Sequence, residues 1–104
     1  MTPEEVGLPP QVVESIRQVL GHFPDIEQAV LYGSRAKGNY RPGSDLDLTL
    51  KGERLSYQDL LDIELALDDL LLPWKIDLSL FAQIDNPALV EHIERVGKVF
   101  YRRD

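Results

Sequence analysis

Cysteine is absent from this chain. That excludes a disulfide framework, a thiolate nucleophile and a zinc–thiolate centre. Histidine is nearly absent too. His22 and His92 stand far apart without zinc-ligand spacing, and read as surface or helix-capping residues. No run approaches the ~18 apolar residues of a membrane span. The opening Met1-Thr-Pro-Glu-Glu is acidic rather than apolar, so it does not read as a signal peptide, and a cytoplasmic setting is expected. Positive charge is in deficit: 11 Lys+Arg against 18 Asp+Glu leave a net −7. Phosphate backbones would be repelled, which argues against non-specific nucleic-acid binding. A basic protein partner or a metal–nucleotide complex suits this charge better.

No repeat or low-complexity tract is present, and 104 residues leave room for one domain, 1–104, with 1–8 expected as a loose arm. Helical and strand periods alternate, the pattern of an α/β or α+β domain. Pro9-Pro10 opens a helix whose stripe is Val12, Val13, Ile16, Val19 and Leu20, closed by Gly21 and Pro24. Residues 26–32 read as a buried strand ended by Gly33. Residues 33–44 read as a loop with a helical turn at 35–38. Residues 45–51 alternate strictly, with Leu46, Leu48 and Leu50 opposite Asp45, Asp47 and Thr49. Ser56 and Asp59 form a capping box for a helix with stripe Leu60, Ile63, Leu67, Leu70 and Leu71, stopped by Pro73. Residues 74–81 alternate again, with Lys75, Asp77 and Ser79 on the polar side. Asn86-Pro87 caps a last helix with stripe Leu89, Ile93, Val96 and Phe100. The expected order is α-β-(α)-β-α-β-α: a small mixed sheet with helices mainly on one face.

Three features converge on one chemistry. Gly33-Ser34 ends a buried strand at a helical turn, where the backbone can approach a ligand closely and the Ser34 hydroxyl adds a donor, a corner suited to phosphate. Asp45 and Asp47 stand two apart on a strand and so share a face. Like charges this close resist ionisation unless a cation sits between them, and hard oxygen ligands beside phosphate suit Mg²⁺. Asp77 lies on the polar face of the next strand; if the strands are neighbours, it completes a three-carboxylate set able to hold two metals. Each feature also has an ordinary explanation. Gly-Ser is common turn chemistry, alternating aspartates are common on solvated faces, and Asp77 shares its face with Lys75 and Ser79. The combination at this spacing is what distinguishes them. Arg35, Lys37 and Arg41 either neutralise phosphate or solubilise the loop. Tyr40 either stacks on a base or plugs the core. The acidic group Asp62, Glu64, Asp68 and Asp69 reads as the solvent face of a helix.

Gly33-Ser34, ten residues, then Asp45-Leu46-Asp47 resembles the signature of the DNA polymerase β-type nucleotidyltransferases. The fuller strings Gly33-Ser34-Arg35-Ala36-Lys37-Gly38 and Ser44-Asp45-Leu46-Asp47-Leu48 resemble the minimal nucleotidyltransferases in particular, over nearly the whole chain. The resemblance implies a nucleotidyltransferase fold, with Gly33 and Ser34 at the nucleoside triphosphate; their charge beside the carboxylates adds Arg35 and Lys37 as expected phosphate contacts. It implies Asp45, Asp47 and Asp77 as ligands of two Mg²⁺ ions, with Asp77 also the base for the acceptor hydroxyl. Minimal nucleotidyltransferases are often paired with HEPN-domain toxins, and the antitoxins of such pairs are similar to this chain. That implies transfer of AMP from ATP to a tyrosine of a HEPN ribonuclease. A small-molecule acceptor, or an antitoxin acting by occlusion alone, are the alternatives. The short chain leaves no residues for an acceptor-binding domain, so another subunit or a homodimer is expected to supply one.

Overall fold

The computed structural model describes residues 1–104. Five helices, four strands and a 3-10 turn follow one another as α1 (Pro3–Val6), α2 (Pro10–Gly21), β1 (Gln28–Tyr32), α3 (Gly33–Lys37), β2 (Leu46–Lys51), α4 (Tyr57–Asp68), β3 (Ile76–Leu80), the turn Phe81–Gln83, α5 (Pro87–Val96) and β4 (Lys98–Arg102). The sheet order is β3-β2-β1-β4. β1 is antiparallel to both β2 and β4, whereas β2 and β3 run parallel. A parallel pair needs a crossover, and α4 supplies it.

Period-two alternation decides what each sheet face carries. Ala29, Leu31, Leu46, Leu48, Leu50 and Leu80 join one core with Val13, Ile16 and Leu20 of α2 and Leu60, Ile63 and Leu67 of α4. Val30 and Ile93 are buried but stand outside that core. They belong to the opposite face, where α5 rests on β1. The capping box at Ser56–Asp59 and the Asn86 cap form as the sequence predicts.

Four details differ from the sequence reading. Residues 1–8 are not a loose arm: Pro3–Val6 is a helical turn, and Val6 and Leu8 are buried in the core. The stripe through Leu70 and Leu71 overruns α4, which ends at Asp68. Asp68 and Asp69 place negative charge at the helix's negative end, a poor place to continue. Phe100 lies on β4 rather than on the last helix. Gly97 ends α5 where a Cβ would press into Val30, and the following Val-Phe-Tyr run has strand propensity. β3 starts at Ile76, two residues later than predicted. Trp74 packs beside the core instead, its indole N–H donating to the Pro42 carbonyl at 2.9 Å.

Candidate active site

The sheet register assembles the site. Tyr32 at the end of β1 pairs with Asp47 on β2, and Asp47 pairs with Asp77 on β3. Cross-strand partners share a face, so Tyr32, Asp47 and Asp77 form one row across three strands. Asp45 precedes β2 by one residue, two positions from Asp47. The next row holds Thr49 and Ser79, whose hydroxyls are 3.0 Å apart and floor the acidic row with a satisfied polar pair.

Asp47 is half-buried, whereas Asp45 and Asp77 are exposed. Burial first, then Asp77 and Asp45, push the Asp47 carboxyl above the usual carboxylate range, and His92 opposes them. Burial likewise raises the Tyr32 phenol; Asp47 and Asp77 add to this, and Ser79 works against it. The two ion pairs of the chain are Glu91–Arg95 and Glu5–Lys98, so no Lys or Arg pairs with the row. The register thus brings Asp45, Asp47 and Asp77 together, but no three acidic or imidazole side chains are gathered at ligating distance. Mutual repulsion favours such separation. The donor chemistry fits a hard divalent cation: carboxylate oxygens, unneutralised, on a rigid sheet.

Gly33 begins α3 directly after β1 with φ +76°, and a Cβ there would collide with the Asp47 carboxylate. Only glycine allows both the backbone angle and the contact. Ser34 follows, partly exposed, and Lys37 stands exposed at the last position of α3.

Arg35 does not face the ligand corner. It is fully buried, and its guanidinium donates to four backbone carbonyls: Val6 at 2.8 Å, Gly7 at 3.3 Å, Pro42 at 2.9 Å and Ser44 at 3.0 Å. The Tyr40 and Trp74 rings lie 5.1 and 5.8 Å from its carbon. Arg35 therefore ties α1 and the 38–45 loop to α3. Its expected phosphate contact is replaced by this internal role, and Tyr40 serves the same cluster. A fork of five donors suits converging carbonyls as well as it suits phosphate.

His92 is the residue that sequence reasoning missed. From α5, its Nε2 accepts the Gly33 N–H at 3.2 Å, and its ring meets Tyr32 edge-on with centroids 6.2 Å apart. Acceptance requires an unprotonated Nε2. A signal for it exists: Leu89, His92, Ile93 and Val96 fall at i, i+3, i+4 and i+7, the pattern of a packed face.

The family model "Polymerase beta, Nucleotidyltransferase" matches residues 14–104. The chain belongs to this nucleotidyltransferase family. Solved structures share the nucleotidyltransferase fold. A toxin–antitoxin complex with AMP-PNP aligns with TM-score 0.70 at 19% identity, covering 88% of this chain and 74% of that one. The toxin–antitoxin pair MntA-HepT gives 0.66 at 16%, covering 91% and 74%. A tri-AMPylated Shewanella oneidensis HEPN toxin in complex with MNT antitoxin gives 0.60 at 15%, covering 99% and 74%. No curated protein matches the chain.

The Gly33–His92 bond fixes the peptide at the Gly33-Ser34 corner. His92→Phe keeps the ring against Tyr32 and removes the acceptor. It is expected to raise KM for the nucleotide about tenfold. His92→Gln places an amide oxygen near the Nε2 position and is expected to restore much of the loss. Steady-state kinetics of both variants, with thermal melts as the folding control, check this.

Proposed function

We propose that this nucleotidyltransferase moves AMP from ATP to a tyrosine hydroxyl of a partner HEPN-domain ribonuclease, with two Mg²⁺ ions, in the cytoplasm. The observation that carries the reading is the Asp47–Asp77 register pair, with Asp45 beside it and the Gly33-Ser34 corner against Asp47. The similarity to toxin–antitoxin complexes, one with AMP-PNP and one with an AMPylated HEPN toxin, supports the choice of nucleotide and acceptor.

Gly33, Ser34 and Lys37 would take the triphosphate; Arg35 holds the loop that carries Asp45 in place. Asp45, Asp47 and Asp77 would hold the ions, which supply charge neutralisation and a clamp on the attacking and leaving oxygens. Asp77, exposed near the start of edge strand β3, takes the proton of the incoming hydroxyl. The acceptor oxygen bonds to the α-phosphorus, the bond to the β-phosphate breaks, and pyrophosphate leaves. No helix of the chain is long and apolar enough to cross a membrane.

The test is intact-mass spectrometry of a HEPN-domain protein from the same genome after incubation with this chain, ATP and Mg²⁺. One or more AMP additions on tyrosine are expected, lost when Mg²⁺ is chelated. An unmodified HEPN protein would sink the reading. Toxin neutralisation that survives both Asp45→Asn and Asp47→Asn would assign occlusion instead.

A further inference from the structure

Five large apolar side chains are exposed on this molecule, and four of them fall between residues 57 and 71. Tyr57 (62% exposed), Leu61 (37%) and Leu65 (66%) recur at i, i+4 and i+8, so they line one outward stripe of α4. The chain leaves α4 through Leu71, its one non-glycine residue with positive φ (+53°), whose side chain is 88% exposed. The inward stripe of α4, Leu60, Ile63 and Leu67, already satisfies the core. The outer stripe is therefore apolar area beyond what folding uses, concentrated in one place.

Its surroundings are predominantly acidic between the flanking cations Arg54 and Lys75. From residue 55 to residue 74 there is no Lys or Arg. The same segment holds Asp59, Asp62, Glu64, Asp68 and Asp69, a local charge of −5 within the chain's −7. Asp59 is engaged in the capping box; Asp62, Glu64, Asp68 and Asp69 are exposed. Beside the C-terminal turn of α4 a groove of about 300 Å³ is lined by Glu64, Leu67, Asp68, Leu72, Trp74 and Ile76, with Lys75 the one cation at its rim. Its far wall leads into β3, an edge strand, and the residue after Ile76 is Asp77. Asp77 points to the sheet face opposite Ile76 and α4, so a body seated here reaches the carboxylate row by wrapping round the β3 edge.

We propose that the leucine-striped acidic face of α4, with the groove between it and β3, is the surface on which the acceptor protein docks, through a basic face carrying apolar anchors. The charge pattern selects the occupant. A second copy meeting this face with its own would oppose −5 to −5, and a nucleic acid would be repelled; a basic protein surface is complementary. The geometry adds the reason such docking matters: β3 is an edge strand, so a partner seated on α4 that wraps round that edge meets Asp77 on the other face of the sheet. The assignment of the occupant as the acceptor rests on the function proposed above; the surface itself does not.

Two variants of the full chain test it. Leu61→Ser/Leu65→Ser removes the anchors. Asp62→Lys/Asp68→Lys reverses the rim, and the lysine in the last turn of α4 suits the helix end, so folding is retained. Each is expected to weaken calorimetric binding to the HEPN-domain protein at least about tenfold. AMP transfer to it should fall in parallel, with ATP affinity unchanged. Wild-type binding should weaken with added salt. Wild-type affinity in both variants would overturn the proposal. A wild-type homodimer that becomes monomeric in Leu61→Ser/Leu65→Ser would overturn the occupant.

A second measurement stands apart from the HEPN protein. NMR titration with an amphipathic Leu/Lys helical peptide should perturb residues 57–76, and the Leu61→Ser/Leu65→Ser variant should abolish the response. Perturbation elsewhere, or none, overturns the surface. Perturbation there without AMP transfer to any HEPN protein retains the surface and removes the proposed acceptor.

Discussion

Asp47→Asn is expected to reduce nucleotidyl transfer by about a thousandfold or more while raising the melting temperature of the free protein. Both effects have one origin. Asp47 is half-buried and faces two further carboxylates, so folding disfavours its charged form and lifts its pKa. An acid whose pKa is higher folded than unfolded binds more protons in the folded state. Its contribution to stability is therefore greatest below the ordinary aspartate range and is lost as pH rises through the elevated value. At neutral pH Asp47 sits on the unfavourable side of that window. The neutral amide removes the repulsion and is expected to stabilise the fold by about 0.5–1 kcal/mol, a figure kept small because the site is open to solvent. The same amide carries no charge for a cation or a transferring phosphoryl group. Thermal melts from pH 4 to 8 with parallel transfer assays check the pair of effects. A wild-type Tm that gains on that of the Asp47→Asn variant as pH rises would contradict the argument.

Arg35→Ala is expected to act on stability rather than on nucleotide affinity, by about 4 kcal/mol, or roughly 15–30 °C in Tm for a domain of this size. Four carbonyls lose their donor at once, from α1, from the 38–45 loop and from the residue before Asp45. Burial pulls the guanidinium pKa down and the Tyr40 hydroxyl opposes the change. The charge is held by carbonyl dipoles and two aromatic faces instead of a carboxylate. Arg35→Lys should recover only part of the loss, since an ammonium cannot match the planar fork. Denaturant unfolding measures this directly. A melting curve unchanged by Arg35→Ala, with a raised KM for nucleotide, would return Arg35 to the phosphate corner.

The parts of the fold visible in the sequence are those with strict periodicity and clear punctuation. The Leu46-Leu48-Leu50 alternation, the Ser56–Asp59 box and the Asn86-Pro87 cap each carry a local physical signal, and each element forms. The carboxylate row is legible for the same reason: period two puts Asp45 and Asp47 on one face, and a strand read at 74–81 offers Asp77. What local pattern lacks is the pairing partner. Strand order decides that Asp77 faces Asp47, and nothing near residue 77 encodes it. Arg35 and Val6 escape a local reading together, because their contact spans 29 residues and only tertiary structure reveals that an isolated arm has a buried cation to hold. His92 shows the reverse failure. Its helical position is readable, but a histidine on a packed face does not announce which backbone group it will receive. β4 is hidden because Phe100 satisfies a helical spacing and a strand alternation equally well.

The close fit of Gly33 against the Asp47 carboxylate also restricts how this protein can drift. Alanine at position 33 meets two obstacles, the left-handed backbone angle and the carboxylate oxygen. Only the second is relieved by shortening residue 47, so substitutions at the two sites combine non-additively. A descendant that abandons the chemistry and shortens residue 47 lifts the contact at position 33 and leaves there the cost of the left-handed angle alone. A side chain at 33 accompanied by a small residue at 47 is thus a legible mark of a retired enzyme, reached through a change at 47 first, whereas a side chain at 33 with Asp47 in place meets both obstacles.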